Sequence, residues 1–305
     1  MSVTGAAVPA PDGTPSTSTR SAEARPVREA LREVATRPAG IAGAILTCIV
    51  LVAAIFAPVI APHSPLYQFP DGLRADGSPV GPSATFLLGA DALGRDEFSR
   101  LLWGLRETLV VSVTANIIAA VIGVAVGCLA GYYGGWLDAV LMRITEVLIA
   151  IPAILLAAFL AIVIRPSLAT LILIVGGVSW FYLAKIVRAE VLSIRQREFV
   201  SAAKLYGAGS GTIIFIHVLR QVWSLVIVYT TLQLADTVTF VSAMSFVGVG
   251  IQPPTPSLGD MIADGSHYLE SIPRLAIVPG VALGLVVLGF NLLGDSLHDA
   301  MEKHA

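Results

Sequence analysis

Residues 109–131 read LVVSVTANIIAAVIGVAVGCLAG, twenty-three positions without a charge. The hydrocarbon core of a bilayer is about 30 Å thick and takes about 20 helical residues at 1.5 Å rise each. This run is long enough to cross it. Five more stretches meet the same length: 40–61, 144–164, 166–184, 222–250 and 275–294, with Glu146 and Asp236 as their only charges. Composition agrees. Of 305 residues, 55% are hydrophobic and 13% charged, against about 25% charged in a typical soluble domain. Mean hydropathy is +0.81. The sequence therefore predicts an all-α integral membrane protein with six transmembrane helices in a lipid bilayer. A net charge of −2 gives no basic surface for nucleic acid.

Six crossings put the N-terminus, the second-to-third and fourth-to-fifth connections and the C-terminus on one side. That side holds 13 of the 19 Lys and Arg residues, among them Arg143, Lys185, Arg188, Arg195, Arg197, Lys204 and Arg220. The other holds 6: Arg74, Arg95, Arg100, Arg106, Arg165 and Arg274. The positive-inside rule places both termini in the cytoplasm. The chain then divides into a cytoplasmic tail (1–39), expected to be largely disordered with a polar interfacial helix over 22–36. A first anchor span follows (40–61), too long for a signal peptide, then an extracytoplasmic loop (62–107) ending in an amphipathic interfacial helix at 96–107. A core of spans (108–297) and a short cytoplasmic tail (298–305) complete it. The core contains a long inner segment, 185–221, and an acidic outer segment, 251–274.

Residues 197–219 read REFVSAAKLYGAGSGTIIFIHVL. The pattern is a short helix, a glycine and a second amphipathic helix. Glu198 and Ala202 share a face with Ala203 beside them, a shallow surface that another protein can approach. Gly207 allows a turn without a Cβ clash. Ile213, Ile214, Ile216 and Leu219 are expected to pack the second helix against the spans. Taken alone, this stretch reads equally well as a generic amphipathic loop.

The string Glu198-Phe199-Val200-x-Ala202-Ala203-x-x-x-Gly207-Ala208, just before a span, resembles the Glu-Ala-Ala loop of bacterial ABC importer permeases. Residues 88–100 (LGADALGRDEFSR), 131–136 (GYYGGW), 245–254 (SFVGVGIQPP) and 294–299 (GDSLHD) resemble further strings of the dipeptide/oligopeptide/nickel family, in its order. The subunit most resembled is the second permease, which carries one extra N-terminal span. The resemblance implies a type I permease core at 108–297, with 185–221 as its coupling loop. It implies that Glu198, Ala202, Ala203, Gly207 and Ala208 dock on a cytoplasmic ATPase. It also implies a complex with a second homologous permease, two cytoplasmic ATP-binding subunits and an extracytoplasmic substrate-binding protein. ATP and Mg are expected on the ATPases, with no cofactor on this chain. Short peptides are the implied substrate, with nickel or another small solute as alternative. The family usually has an acid three residues before its Leu-Ser-Phe-Leu-Gly string, where Val241 stands here, and His298 replaces a common arginine.

Polar residues inside spans are functional candidates. Asp236 lies mid-span, Gln233 shares its face, Thr237 is adjacent and Phe240 continues the stripe. With Asn116 they are candidates for the translocation pathway or the subunit interface. Glu146, three residues after Arg143, reads as a local ion pair, and Asn291 as a helix–helix hydrogen bond. Gly123, Gly127 and Gly131 form a smooth strip for close helix contact. Pro152 and Pro279 are expected to kink their spans. Cys48 and Cys128 read as packing residues, not a disulfide. No HExxH or Cys/His cluster exists, so no catalytic or metal-binding set is expected. Lys185, Lys204 and Lys303 follow Ala184, Ala203 and Glu302, so no Gly-Lys-Ser/Thr phosphate loop is present. The chain is expected to be a transport subunit, not an enzyme, energised by a partner or an ion gradient. The gradient would define a proton-coupled secondary transporter with Glu146 and Asp236 as carriers, but such transporters normally show matching halves, and none are visible.

Overall fold

The structure, a computed structural model, describes residues 37–165 and 167–302. The expected disorder and polar helix before residue 37 lie outside them. The described residues form ten principal helices: α1 Pro38–Ile55, α2 Glu97–Tyr133, α3 Gly135–Ala150, α4 Ala153–Val163, α5 Leu168–Val178, α6 Phe181–Ile194, α7 Glu198–Leu205, α8 Ser210–Phe246, α9 Leu258–Ser266 and α10 Arg274–Glu302. Among these residues, extended pairing is limited to two isolated bridges in the outer segment, Leu73 with Pro79 and Ala90 with Asp96.

Helices α1, α2, α8 and α10 are each long and apolar enough to cross a membrane. The bent pairs α3–α4 and α5–α6 bring the number to six if each pair is one span. The third predicted span breaks by 89°. A residue before proline avoids helical backbone, and Ile151, before Pro152, has φ −90° and ψ 126°. The expected kink is therefore a full break. Pro279, by contrast, sits inside an uninterrupted α10. The fourth stretch bends by 43° at Ser179–Trp180 and continues as α6 to Ile194. Much of the supposed loop 185–221 is consequently helical.

The expected helix at 96–107 forms the opening turns of α2 and runs into the span without a break. Asp96 caps α2 by accepting from the Ser99 amide at 3.0 Å, and nothing between Glu97 and Leu109 interrupts it. At 37 residues α2 is about 55 Å long, so residues 97–108 stand outside the stretch that crosses the apolar core.

The core sits where α2 meets α6. A Cβ on Gly123, Gly127 or Gly131 would come within 3.0, 2.7 and 2.8 Å of the Cβ atoms of Leu183, Val187 and Val191. Three glycines face three aliphatic side chains, both at four-residue spacing. In lipid, such close packing replaces the hydrophobic drive between helices. Cys128 is buried in this cluster. Cys48 is exposed on α1, so the packing expectation fails for it, although both thiols are free. Val241 is fully buried on α8 among Leu171, Ile174 and Val175. At the periphery, Gly43 of α1 lies against Leu292 and Leu293 of α10. Arg37 pairs with Asp299 at 2.5 Å, so the two ends of the described chain lie on one side.

Candidate coupling surface

Helix α7 carries Glu198 in its first turn and Lys204 in its last, each the sign favoured by the helix dipole there. It ends in a Schellman turn: the Gly207 amide donates to the Lys204 carbonyl and the Ala208 amide to the Ala203 carbonyl, both at 3.0 Å. Gly207 has φ +81°, a region that L side chains avoid. A Cβ there would meet nothing within 4 Å. Glycine is thus needed for backbone conformation, not for space.

The five predicted coupling residues divide. Glu198, Ala202 and Gly207 are exposed. Ala203 and Ala208 pack inward with Phe199 around fully buried Val200. The outer surface instead ends in Leu205 and Tyr206, 89% and 92% exposed. Sequence reasoning passed over them. Two apolar side chains directly before a glycine turn in a polar segment were the available signal.

The elbow is tied to the spans from several sides. Arg195, between α6 and α7, donates to the carbonyls of Gly131 and Tyr132 at 3.1 and 3.4 Å, at the C-terminal end of α2. Lys204 lies 5.5 Å from the Tyr132 ring centroid. Arg197 donates to Gln221 of α8 at 3.1 Å, and Arg188 of α6 forms a two-pronged pair with Asp138 of α3. Beyond Gly207, α8 opens with a π-helical segment, Ile213–Val218. Its wider turn changes which residues face inward: Ile213, Ile214 and Val218 are buried, whereas Ile216, expected to pack, is exposed.

The intramembrane candidates also separate. Asn116 donates to the Thr230 carbonyl at 2.8 Å, Gln233 donates to the Ser179 carbonyl, and Thr237 donates to the Gln233 carbonyl at 2.8 Å. Phe240 packs against the cluster around Val241. Asp236 does not share Gln233's buried face: it is exposed on α8. Asn116 Oδ1 and Gln233 Oε1 have no partner among the described residues. Asn116 also borders an apolar cavity of about 650 Å³ between α2 and α8, with Phe215, Trp223 and Thr230. Glu146 pairs with Arg143 at 3.3 Å on the surface, as expected. Asn291 makes no side-chain hydrogen bond among the described residues, against expectation.

At the opposite end of α2 the two outer segments close into a cap. Asp91 accepts from Arg95 at 2.6 Å and lies 3.1 Å from Arg100. Arg100, only 2% exposed, extends toward Asp260 of α9 at 4.0 Å. Arg274 donates to the carbonyls of Leu88, Val80 and Ala90 at 2.6 to 2.9 Å. Burial, then the neighbouring Asp264, raises the Asp260 carboxyl above its ordinary range. His63, Phe69 and Phe86 stack beneath. Residues 88–100 were legible only as a familiar string, with no role for their charges.

Four to six candidate spans with an apolar-tipped elbow braced against them make a multi-pass helical membrane protein. Residues 123–305 match the family model for the binding-protein-dependent transport system inner membrane component, and residues 25–76 match the N-terminal transmembrane domain of oligopeptide transport permease C. The chain belongs to the family of binding-protein-dependent transport permeases. It is 36% identical over 277 residues to a dipeptide transport system permease protein of Alkalihalophilus pseudofirmus, covering 91% of this chain and 90% of the relative. It is 34% identical over 278 residues to a di/tripeptide transport system permease protein of Pseudomonas aeruginosa, covering 91% and 92%. It is 37% identical over 259 residues to a glutathione transport system permease protein of Escherichia coli, covering 85% and 84%. The chain is thus a multi-pass ABC importer permease, a transport subunit and not itself an enzyme.

Proposed function

We propose that this chain is one of two homologous permeases in an importer of short peptides. Two cytoplasmic ATP-binding subunits drive it, and an extracytoplasmic binding protein supplies its substrate. The named substrates of the relatives, dipeptides, di/tripeptides and glutathione, support the peptide reading. The observation that carries the coupling role is the exposed Leu205–Tyr206 pair on a helix fixed to the ends of α2 and α8. An apolar tip on a braced support lets force applied from outside move spans as a body. ATP and Mg act on the partner subunits. The 13-to-6 bias of basic residues supports a cytoplasmic elbow and cytoplasmic termini. Glu198, Ala202 and Gly207 then border the docked surface, while Ala203 and Ala208 brace it.

Asp236 is costly against lipid. Its exposed carboxylate therefore belongs to the translocation pathway or the face covered by the second permease; Asn116 borders the cavity between α2 and α8, and Gln233, Thr237 and Phe240 support that surface from within the chain. The outer segments 62–107 and 251–274 receive the binding protein.

The test places single cysteines at Leu205 and Tyr206 in the assembled complex and adds a short bifunctional crosslinker. Capture of a nucleotide-hydrolysing subunit, with a yield that changes on ATP addition, is the expected result. Capture of nothing, or labelling of these cysteines from the exterior of intact cells, overturns the reading.

A further inference from the structure

The two outer segments meet over a pocket of about 290 Å³. Residues 91–100 supply Asp91, Arg95, Glu97 and Arg100, while α9 and the turn after it supply Asp264, His267 and Tyr268. Most charges here are already matched. Asp91 holds Arg95 and Arg100, Arg100 also faces Asp260, and Arg274 is caged by carbonyls. Glu97 is the exception. Its side chain is 3% exposed, lines the pocket and makes no hydrogen bond or ion pair among the described residues. Asp264 stands exposed at the rim. Ionised, Glu97 joins Asp91, Asp260 and Asp264 against Arg95, Arg100 and Arg274, leaving one negative charge unmatched, with His267 also on the lining.

The pocket's lining includes Glu97, Arg100, Met261 and Leu275, and no residue of 109–131. It is a recess in the outer cap, not a stretch of the membrane path. Its volume lies just under the roughly 300–1,000 Å³ of small-molecule sites, room for one side chain. The small volume favours a compact ammonium over a planar guanidinium fork, and Arg95 and Arg100 on the same lining are held by Asp91.

We propose that this pocket receives a lysine side chain of the extracytoplasmic binding protein, whose ammonium pairs with Glu97 when that protein docks. The proposal rests on the importer reading and assigns the docking a specific charge. A binding protein must engage and leave in every cycle, and a single ion pair in a shallow recess permits both. Burial and then Asp91 push the Glu97 carboxyl up to about 7, with Arg100, Arg274 and Arg95 opposing. The Glu97 carboxyl is then mostly protonated at pH 6 and mostly ionised at pH 8. Docking is therefore stronger at pH 8 than at pH 6, by about tenfold.

The experiment uses the complete complex in lipid nanodiscs and the binding protein that copurifies with it, with affinity measured at pH 6 and pH 8. Glu97→Gln keeps the shape and removes the charge. It is expected to weaken docking about tenfold at pH 8 and to flatten the pH dependence. The melting temperature of the complex stays at its wild-type value or rises. Zero-length carbodiimide coupling should join Glu97 to a lysine of the binding protein in the wild type and fail in the variant. Unchanged affinity and pH dependence in Glu97→Gln overturns the proposal. So does a variant that raises KM for peptide while the binding protein docks normally, because the ammonium would then be the substrate's. If the wild-type complex engages no binding protein, the importer reading itself fails and the pocket falls with it.

Discussion

The elbow around α7 and the cap over the start of α2 stand at opposite ends of one 37-residue helix, and they are built in opposite ways. The elbow is held by a few polar contacts behind it and turns bare apolar side chains outward. The cap turns its charges inward, where Asp91, Arg95, Arg100 and Asp260 neutralise one another. A surface that a moving partner must grip has to keep its contacts unsatisfied until the partner arrives. A lid on the outer end has to hold its shape, and buried ion pairs fix a geometry even where they add little net stability. The difference teaches that exposure and satisfaction, not residue type, separate the proposed coupling surface from the cap.

Arg100→Met should cut deepest, because it strips a buried guanidinium from Asp91 and Asp260. Asp91 keeps Arg95, but Asp260 loses its cation, and removing one partner of a buried pair costs about 3–5 kcal/mol. A sharply lower melting temperature and yield in detergent should follow, and a wild-type melting temperature would show that the cap is not a scaffold. Gly127→Val comes next. Its Cβ would stand 2.7 Å from the Ala184 carbonyl oxygen and from the Val187 Cβ, and overpacking costs about 1–3 kcal/mol. The loss should appear as lowered thermal stability of the permease, and Val187→Ala should relieve little of it, because the Cβ at 187 and the Ala184 carbonyl both remain.

Gly207→Leu should have the smallest effect on stability and a large one on coupling. With space around the position but φ +81°, the backbone penalty is about 1–2 kcal/mol. Melting should shift slightly while transport per ATP hydrolysed collapses, and Gly207→Asn, better tolerated in this conformation, should recover part of it. A Gly207→Leu complex that transports normally would remove the elbow's special status and leave the two ends of α2 alike.

Much of the fold was readable because its signals are local. The apolar stretches, the glycine strip of α2 and the break at Pro152 each depend on neighbouring residues alone. The site was readable only in part. The small residues in 198–208 marked an exposed segment, yet Ala203 and Ala208 pack inward behind it while Leu205 and Tyr206 face out. Facing within eight residues depends on what packs behind them, here Val200 against α6 and α8. The π segment displaced Ile216 for a similar reason. The outer helix α9 went unrecognised although Ser257, which caps it by accepting from the Asp260 amide at 3.0 Å, precedes it in an ordinary capping position. The cap network was hidden more thoroughly, since Arg274 meets Leu88 across 186 positions.

The sequence by itself determined that this chain lives in a membrane, and in which class of assembly. Long uncharged runs leave the backbone no partner except itself, which in lipid means helices. The tertiary structure alone decided which polar groups are matched and which are left open. Glu97 reads as one more charge in a charged segment until Asp91 is seen to have claimed both nearby arginines and Arg274 to be held by carbonyls. Charge balance in a folded protein is set by distance in space, and that is fixed only when remote segments pack.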